Sequence, residues 1–151
     1  MRLLPERGGL GPRITWLLLA AQGFATFEKS KVAIKSAKGL HKFVIEMAIS
    51  NQQQSQGLMY RRTLPADAGM LFDYRIPQRI SMWMKNTYIP LDMIFIGQDG
   101  KIINIAERTI PHSEAVISSK SRARAVLEVN GGTASRLGLK PGDQVMHPIF
   151  K

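Results

Sequence analysis

The chain has 151 residues and is strongly basic, with 21 lysines and arginines against 11 aspartates and glutamates and a net charge of +10. It contains no cysteine, which excludes a disulfide-rich scaffold and a cysteine nucleophile. A chain of this length buries enough surface for one hydrophobic core and too little for two, so one packed domain is expected.

The start of the chain has the order of charge and hydrophobicity that is typical of a bacterial signal peptide. Three arginines precede an apolar run at residues 14–21, and the small residues Gly23 and Ala25 follow. Signal peptidases read small residues at these two positions. The pattern therefore predicts a signal peptide at residues 1–25 with cleavage after Ala25, and cleavage after Ala21 is the alternative.

A membrane anchor is the other interpretation of the same apolar segment. A spanning helix needs about 20 consecutive apolar residues, and Glu28 and Lys29 follow the run too closely for that. We therefore expect no stable membrane span. Residues 26–151 are expected to form a single domain that is periplasmic or secreted after cleavage.

The basic charge persists in the predicted mature form, because the leader removes only three arginines and one glutamate and leaves a net charge of +8. This charge favours an anionic envelope polymer, a lipid head group or an acidic protein as partner, whereas export argues against nucleic acid. Lys120, Arg122 and Arg124 alternate and predict a local basic strip on an extended backbone. The alternative is that the charge only keeps a soluble monomer from associating.

The first elements of the predicted domain are strands. Apolar and polar residues alternate cleanly from His41 to Ile49, which is the period of a half-buried strand. An earlier alternation around Val32 and Ile34, followed by a turn at residues 38–39, predicts a hairpin with this strand.

A short helix is predicted at residues 52–60, because Ser50 and Asn51 offer an N-cap. Extended segments separated by turn signals then recur at about ten-residue intervals. These segments are residues 69–73, 79–84, 91–96, 101–106, 123–129 and 144–146. A second short helix opens at residues 131–133 and ends at Gly138. The pattern predicts a mainly β (α+β) fold, a compact β-barrel-like or sandwich domain with two short helices.

Four blocks of the sequence have an unusual composition. They are QGLMYRR at residues 56–62, AGMLF at 68–72, WMKNTYIPLDM at 83–93 and AVLEVNGG at 125–132. In this order they resemble the hallmark blocks of the DUF192 family, the uncharacterised protein family 0127, over about residues 43–147. The resemblance implies a small β-rich, barrel-like domain, often behind a signal peptide in bacteria, with no established activity, substrate or cofactor.

The block around Trp83 contains a candidate binding cluster. On a strand, Trp83 and Lys85 share one side and Asn86 follows at the strand end, so a ring, a cation and an amide lie close together. Such groups hold a polar ligand by stacking and hydrogen bonds. The alternative is structural, with Trp83 in the core, Asn86 in a turn and Lys85 in solvent.

Two acidic residues lie inside apolar strands, Asp92 in the segment 91–96 and Glu128 in the segment 125–129. A carboxylate buried in a strand is either paired or has a raised pKa. The cations available for pairing are Arg61, Lys85, Arg122 and Arg124. An ion pair or a backbone clamp is the structural interpretation of both carboxylates, and a convergent acid/base pair, as in glycoside hydrolysis, is the catalytic one.

Other chemistry is not indicated by the sequence. His41, His112 and His147 are dispersed and lack metal-ligand spacing, and no nucleophile elbow or phosphate-binding glycine loop occurs, so no metal or cofactor is expected. The leading hypothesis is a non-catalytic periplasmic binding or accessory domain. Its predicted binding residues are Arg61, Trp83, Lys85, Asn86, Asp92 and Glu128. The alternatives are an envelope glycan hydrolase that uses Asp92 and Glu128, and a structural partner of an envelope assembly.

Overall fold

The structure is a computed structural model that describes residues 23–150. The strands are β1 (Glu28–Ser36), β2 (Gly39–Ala48), β3 (Ala68–Gln78), β4 (Ser81–Met82), β5 (Leu91–Ile96), β6 (Ile102–Ala106), β7 (Ile117–Ser118), β8 (Ala123–Asn130) and β9 (Gln144–Met146). The helices are α1 (Asn51–Gln56) and α2 (Thr133–Leu137). Most of the predicted signal peptide lies outside the described residues. No helix within residues 23–150 is long and apolar enough to cross a membrane.

Seven strands form one curled sheet in the order β6-β5-β8-β3-β2-β1-β9. Neighbouring strands are antiparallel except β2 and β3, which are parallel and are joined through α1. The two edges of the sheet approach each other, because an isolated bridge joins Lys101 to Gln144 of the edge strand β9. The sheet is therefore a half-barrel, and the predicted mainly β, barrel-like domain with two short helices is confirmed.

The hairpin and the first helix begin where the sequence pattern places them. Strands β1 and β2 pair from Glu28 opposite Met47 to Ser36 opposite Gly39. Helix α1 starts with a capping box, in which the Ser50 hydroxyl accepts the backbone N–H of Gln53. The helix is shorter than predicted and stops at Gly57, whose φ of 48° is strained for residues with a side chain.

Each face of the sheet is covered by a hydrophobic core. The first face, here called the α2 face, receives apolar side chains from all seven strands and is packed by Ala134 of α2 and by Leu139. The second, here called the loop face, is covered by Leu58 and Leu64 after α1 and by Met84 in the loop between β4 and β5 (residues 83–90). Consequently, the side chains of central strands are buried whichever way they point.

A short two-stranded ribbon completes the described fold. Ser81 and Met82 of β4 pair with Ser118 and Ile117 of β7. The sequence pattern did not predict β7, because two residues are too few for an alternation to be visible. The loop between β4 and β5 carries the Trp83 block. The ribbon fixes the start of this loop together with a hydrogen bond close to it, in which the N–H of Met84 donates to the carbonyl of Ser113.

Candidate ligand-binding site

Asp92 is a structural clamp for the start of α2. Its side chain is fully buried, Oδ1 accepts the backbone N–H groups of Arg108 (2.8 Å) and Gly132 (3.1 Å), and Oδ2 accepts that of Ala134 (2.8 Å). Gly132 occupies the N-cap of α2 and provides no side-chain cap. The carboxylate of Asp92 on β5 therefore caps the start of α2. This arrangement agrees with the structural interpretation, in which the buried carboxylate binds backbone N–H groups.

Asp92 and Glu128 do not share a pocket. Strands β5 and β8 pair with Asp92 opposite Val129 and with Met93 opposite Glu128. Because cross-strand partners point to the same face and successive residues to opposite faces, Asp92 lies on the α2 face and Glu128 on the loop face. The catalytic interpretation, in which the two carboxylates act on one glycosidic bond, is therefore wrong for this fold.

Glu128 is a buried carboxyl group without a protein partner among residues 23–150. Its exposed fraction is 4%, and none of the hydrogen bonds or ion pairs within this range involves its side chain. Burial raises its pKa from 4.5 to about 8, because the charged form is poorly solvated there. Most of the population is therefore protonated and neutral at pH 7.

The carboxyl group of Glu128 lines a cavity of about 190 Å³ between the loop face, α1 and the Trp83 block. Other side chains in the wall are Gln54, Gln56, Phe72, Tyr74, Trp83 and Thr87. Burial raises the pKa of Tyr74 to about 12, with a further contribution from the negative charge of Glu128. The wall therefore combines aromatic rings and amides with a single acidic group.

Helix α1 positions one side of this cavity. Gln54 Nε2 donates to the carbonyls of Ala48 (3.2 Å) and Asp73 (2.9 Å), which ties the helix to β2 and β3. At the helix end, a Cβ on Gly57 would lie 3.0 Å from Cζ of Phe72. Glycine therefore allows the end of the helix to pack directly on an aromatic side chain of the wall.

Trp83 and Lys85 lie together at the rim of the cavity. Trp83 is 46% exposed, and Nζ of Lys85 is 5.1 Å from the centroid of its ring, a cation–π distance. Asn86 has a left-handed backbone with φ of 54°, its side chain donates to the hydroxyl of Tyr60 (2.9 Å), and its carbonyl accepts the Tyr60 N–H. Asn86 therefore shapes the loop and does not line the cavity.

Arg61 also lies outside the cavity. Its guanidinium forms a two-pronged ion pair with Glu46, with Nη1 close to Oε1 and Nη2 2.9 Å from Oε2, and it stacks 5.7 Å from the ring centroid of Phe27. Of the six predicted binding residues, the structure brings together Trp83, Glu128 and, at the rim, Lys85. It separates Arg61, Asn86 and Asp92 from them.

The predicted basic strip is not formed. The backbone bends at Lys120 and Ser121, and Arg124 pairs with Asp73 at 2.8 Å. Burial raises the pKa of Asp73, but hydrogen bonds from Arg124 and from the Arg75 N–H outweigh this effect and leave it below its usual value. The lysines of the first hairpin are exposed, and the anionic partner expected from the charge stays a prediction.

Sequence reasoning missed Tyr74, Gln54 and Gln56 as wall residues. Tyr74 follows Phe72 at the spacing of one strand face, and this alternation is visible in the sequence. The glutamines of α1 gave no signal, since uncharged polar residues on a short helix are ordinary surface residues. Within residues 23–150, no group of three or more His, Asp or Glu side chains is placed to hold a metal ion.

Together these features define a class, a small β half-barrel in which a buried carboxyl group, that of Glu128, lines a cavity of about 190 Å³ and has no protein partner within residues 23–150. The DUF192 family, described as Uncharacterized ACR, matches residues 32–147, and the chain therefore belongs to this family. No curated protein matches the chain.

Two solved structures are similar to this chain. One, from Sinorhizobium meliloti 1021, is described as a candidate transcription regulator; it is 46% identical, with a TM-score of 0.80, and the match covers 83% of this chain and 98% of that chain. The other is a protein of unknown function from Novosphingobium aromaticivorans DSM 12444, 38% identical, with a TM-score of 0.78, covering 82% of this chain and 94% of that chain. Both solved structures therefore share the fold of this chain.

Proposed function

We propose that this protein is an exported, non-catalytic binding protein that holds a small polar ligand in the cavity between Trp83 and Glu128. The observation that carries the proposal is the buried carboxyl group of Glu128, which faces a cavity and has no protein partner within residues 23–150. Buried polar groups in folded proteins are almost always hydrogen-bonded, and an exception calls for a partner from outside the chain. A ligand in the cavity supplies that partner.

Binding is favoured over hydrolysis by the position of the carboxylates. Glycosidases need two carboxyl groups on either side of the scissile bond. Glu46 is the nearest acidic residue in the row of cross-strand neighbours that contains Glu128, and it is already paired with Arg61. Asp92 holds α2 from the opposite face of the sheet. One acidic group between aromatic rings suits recognition, because rings supply contact area and the carboxyl group fixes orientation.

A screen of small molecules tests the proposal directly. The panel holds monosaccharides, amino acids, amines, short peptides and lipid head groups, and the readouts are native mass spectrometry and thermal unfolding. A ligand at one hundred times its Kd is expected to stabilise the protein by about 3 kcal/mol. Trp83→Ala is expected to weaken binding at least tenfold, because stacking area is lost. Tyr88→Ala, an exposed aromatic outside the cavity wall, is the matched control.

Two results of this screen contradict the proposal. One is the absence of any ligand, and the other is a ligand whose affinity is the same in wild type and Trp83→Ala. A DNA duplex belongs in the panel because one structural relative is described as a candidate transcription regulator. Binding of DNA without binding of any small molecule would replace this proposal with a nucleic-acid function.

We also propose that the chain is exported with cleavage after Ala25, as the charge and hydrophobicity of residues 1–25 indicate. The backbone N–H of Ala25 donates to Oε1 of Gln56 (2.7 Å), and the carbonyl of Thr26 accepts from Nε2 of Gln53 (2.8 Å). This stretch therefore lies along α1. Cleavage after Ala25 removes the donor to Gln56, whereas cleavage after Ala21 retains it.

The intact mass of the protein recovered from the periplasm decides between these outcomes. We expect a chain that starts at Thr26. A chain that starts at residue 22 would support export with the alternative cleavage site. Full-length protein that remains in the cytoplasm, under conditions in which a known periplasmic protein is processed, would contradict export.

A further inference from the structure

Building on the proposed ligand site, we infer that the cavity selects a small organic cation of the ammonium type, held between the carboxylate of Glu128 and the rings of Tyr74 and Trp83. This inference names the chemical class of the ligand and rests on the proposed function. Three independent features of the cavity support it: the sign of its charge, the composition of its wall and its size.

The first feature is the sign of the charge. Among residues 23–150, Glu128 is the only wall residue whose side chain can carry a charge near neutral pH, and no lysine, arginine or histidine of this range is part of the wall. A cationic ligand completes an ion pair with a carboxyl group that is only 4% exposed, where the attraction is stronger than in bulk solvent. An anionic ligand would make ionisation of Glu128 still less favourable and forms no ion pair with it, and a neutral ligand forms no ion pair either.

The second feature is the composition of the wall. Phe72, Tyr74 and Trp83 contribute aromatic rings, and Met59 and Met82 contribute polarisable sulfur atoms. Aromatic faces attract ammonium groups, most strongly where water is excluded, and such cages recognise quaternary ammonium ligands. Nζ of Lys85 already lies 5.1 Å from the centroid of the Trp83 ring, so a ligand cation must displace this contact or use the opposite face of the ring.

The third feature is size. The cavity has a volume of about 190 Å³, which is below the range of about 300–1,000 Å³ that is common for ligand pockets. This volume excludes oligosaccharides and long peptides as fully enclosed ligands. It fits a compact amine or a choline-like ion, and a longer molecule fits only with its cationic end enclosed.

Binding of a cation is expected to depend on pH. The polar side chains that share the cavity wall with Glu128 are those of Tyr74 from β3, Gln54, Ser55 and Gln56 from α1, Ser81 from β4, and Trp83 and Thr87 from the loop between β4 and β5. The charged group at the rim is the ammonium of Lys85, 5.1 Å from the centroid of the Trp83 ring. Burial raises the pKa of Glu128 to about 8, so a cation binds the ionised form and displaces a proton at pH 7. The affinity is expected to rise about tenfold per pH unit below pH 8 and to level off above it.

The test compares two probes of the same shape, choline and its neutral isostere 3,3-dimethylbutan-1-ol, by isothermal titration calorimetry. Choline is expected to bind at least tenfold more tightly. In buffers of different ionisation enthalpy, binding at pH 7 is expected to release about one proton for each bound choline. Glu128→Gln is expected to lose both the preference and the proton release. Glu46→Gln removes an acidic group from outside the cavity and is expected to retain both.

The other outcomes separate failure of the cation inference from failure of the ligand site. If the neutral isostere binds as tightly as choline and Trp83→Ala weakens both, the cation inference is overturned while the ligand site stands. If choline binding is unchanged in Glu128→Gln, whose folding is verified by circular dichroism, the cation inference is also overturned. If neither probe nor any compound of the wider panel binds, both the inference and the proposed function fail.

Discussion

Replacing Asp92 with alanine is expected to lower the free energy of unfolding by about 3–5 kcal/mol. The substitution removes the acceptor of three backbone N–H groups, those of Arg108, Gly132 and Ala134. Each donor that stays buried without a partner costs about 1–3 kcal/mol. Helix α2 has no side-chain cap of its own, so its first turn is expected to loosen and to release its packing on the α2 face.

Urea denaturation followed by tryptophan fluorescence and circular dichroism measures this effect. Asp99→Ala is the matched control, because the Asp99 carboxylate also accepts a backbone N–H, that of Lys101, but in an exposed turn. The control is expected to lose about 1 kcal/mol or less. If the two variants lose equal stability, the interpretation of Asp92 as the clamp of α2 is wrong.

Replacing Glu128 with glutamine is expected to stabilise the protein at high pH. The folded-state pKa of Glu128 is raised from 4.5 to about 8, so the folded protein holds a proton that the unfolded chain releases. Stability from this group is therefore fully present below pH 4.5 and is lost as the pH rises towards 8. Glutamine has nearly the same shape and never ionises, so the variant avoids this loss.

The expected gain of Glu128→Gln is about 3–5 kcal/mol at pH 9 and within about 1 kcal/mol of zero at pH 5. Comparing variant and wild type at the same pH cancels the titration of all other groups to first order. Chemical denaturation between pH 5 and 9, in the absence of any amine buffer, provides the measurement. A difference that is independent of pH would show that Glu128 does not titrate in the folded protein between these limits.

Much of the fold could be predicted because it depends on local patterns. The alternation at residues 41–49, the apolar run at 91–96 and the glycine at 138 each specify an element through side-chain period or backbone conformation. These signals lie within the segment that they describe. Pairing between strands is different, because the order of β5, β8 and β3 in the sheet depends on residues far apart in sequence.

The candidate site depends on this long-range pairing, which explains what the sequence left open. Trp83 and Glu128 meet because β8 lies between β3 and β5 and because the loop between β4 and β5 folds over the same face. The sequence shows that Asp92 and Glu128 are acidic residues in apolar strands, but their faces follow from the register of β5 against β8. If the register of β5 against β8 were shifted by one residue, the two acidic side chains would lie on the same face of the sheet.

The same register gives the buried carboxyl group a role during folding. Glu128 lies between Leu127 and Val129, which both belong to the α2-face core. If β8 slipped by one residue against its neighbours, the carboxyl group would enter that core and an aliphatic side chain would enter the cavity. Gly69 permits the native alignment, because a Cβ there would lie 2.5 Å from the Glu128 carbonyl oxygen. The acidic side chain thus destabilises misaligned arrangements of the strands. Glu128 therefore favours the native strand register, although its ionisation destabilises the folded protein at high pH.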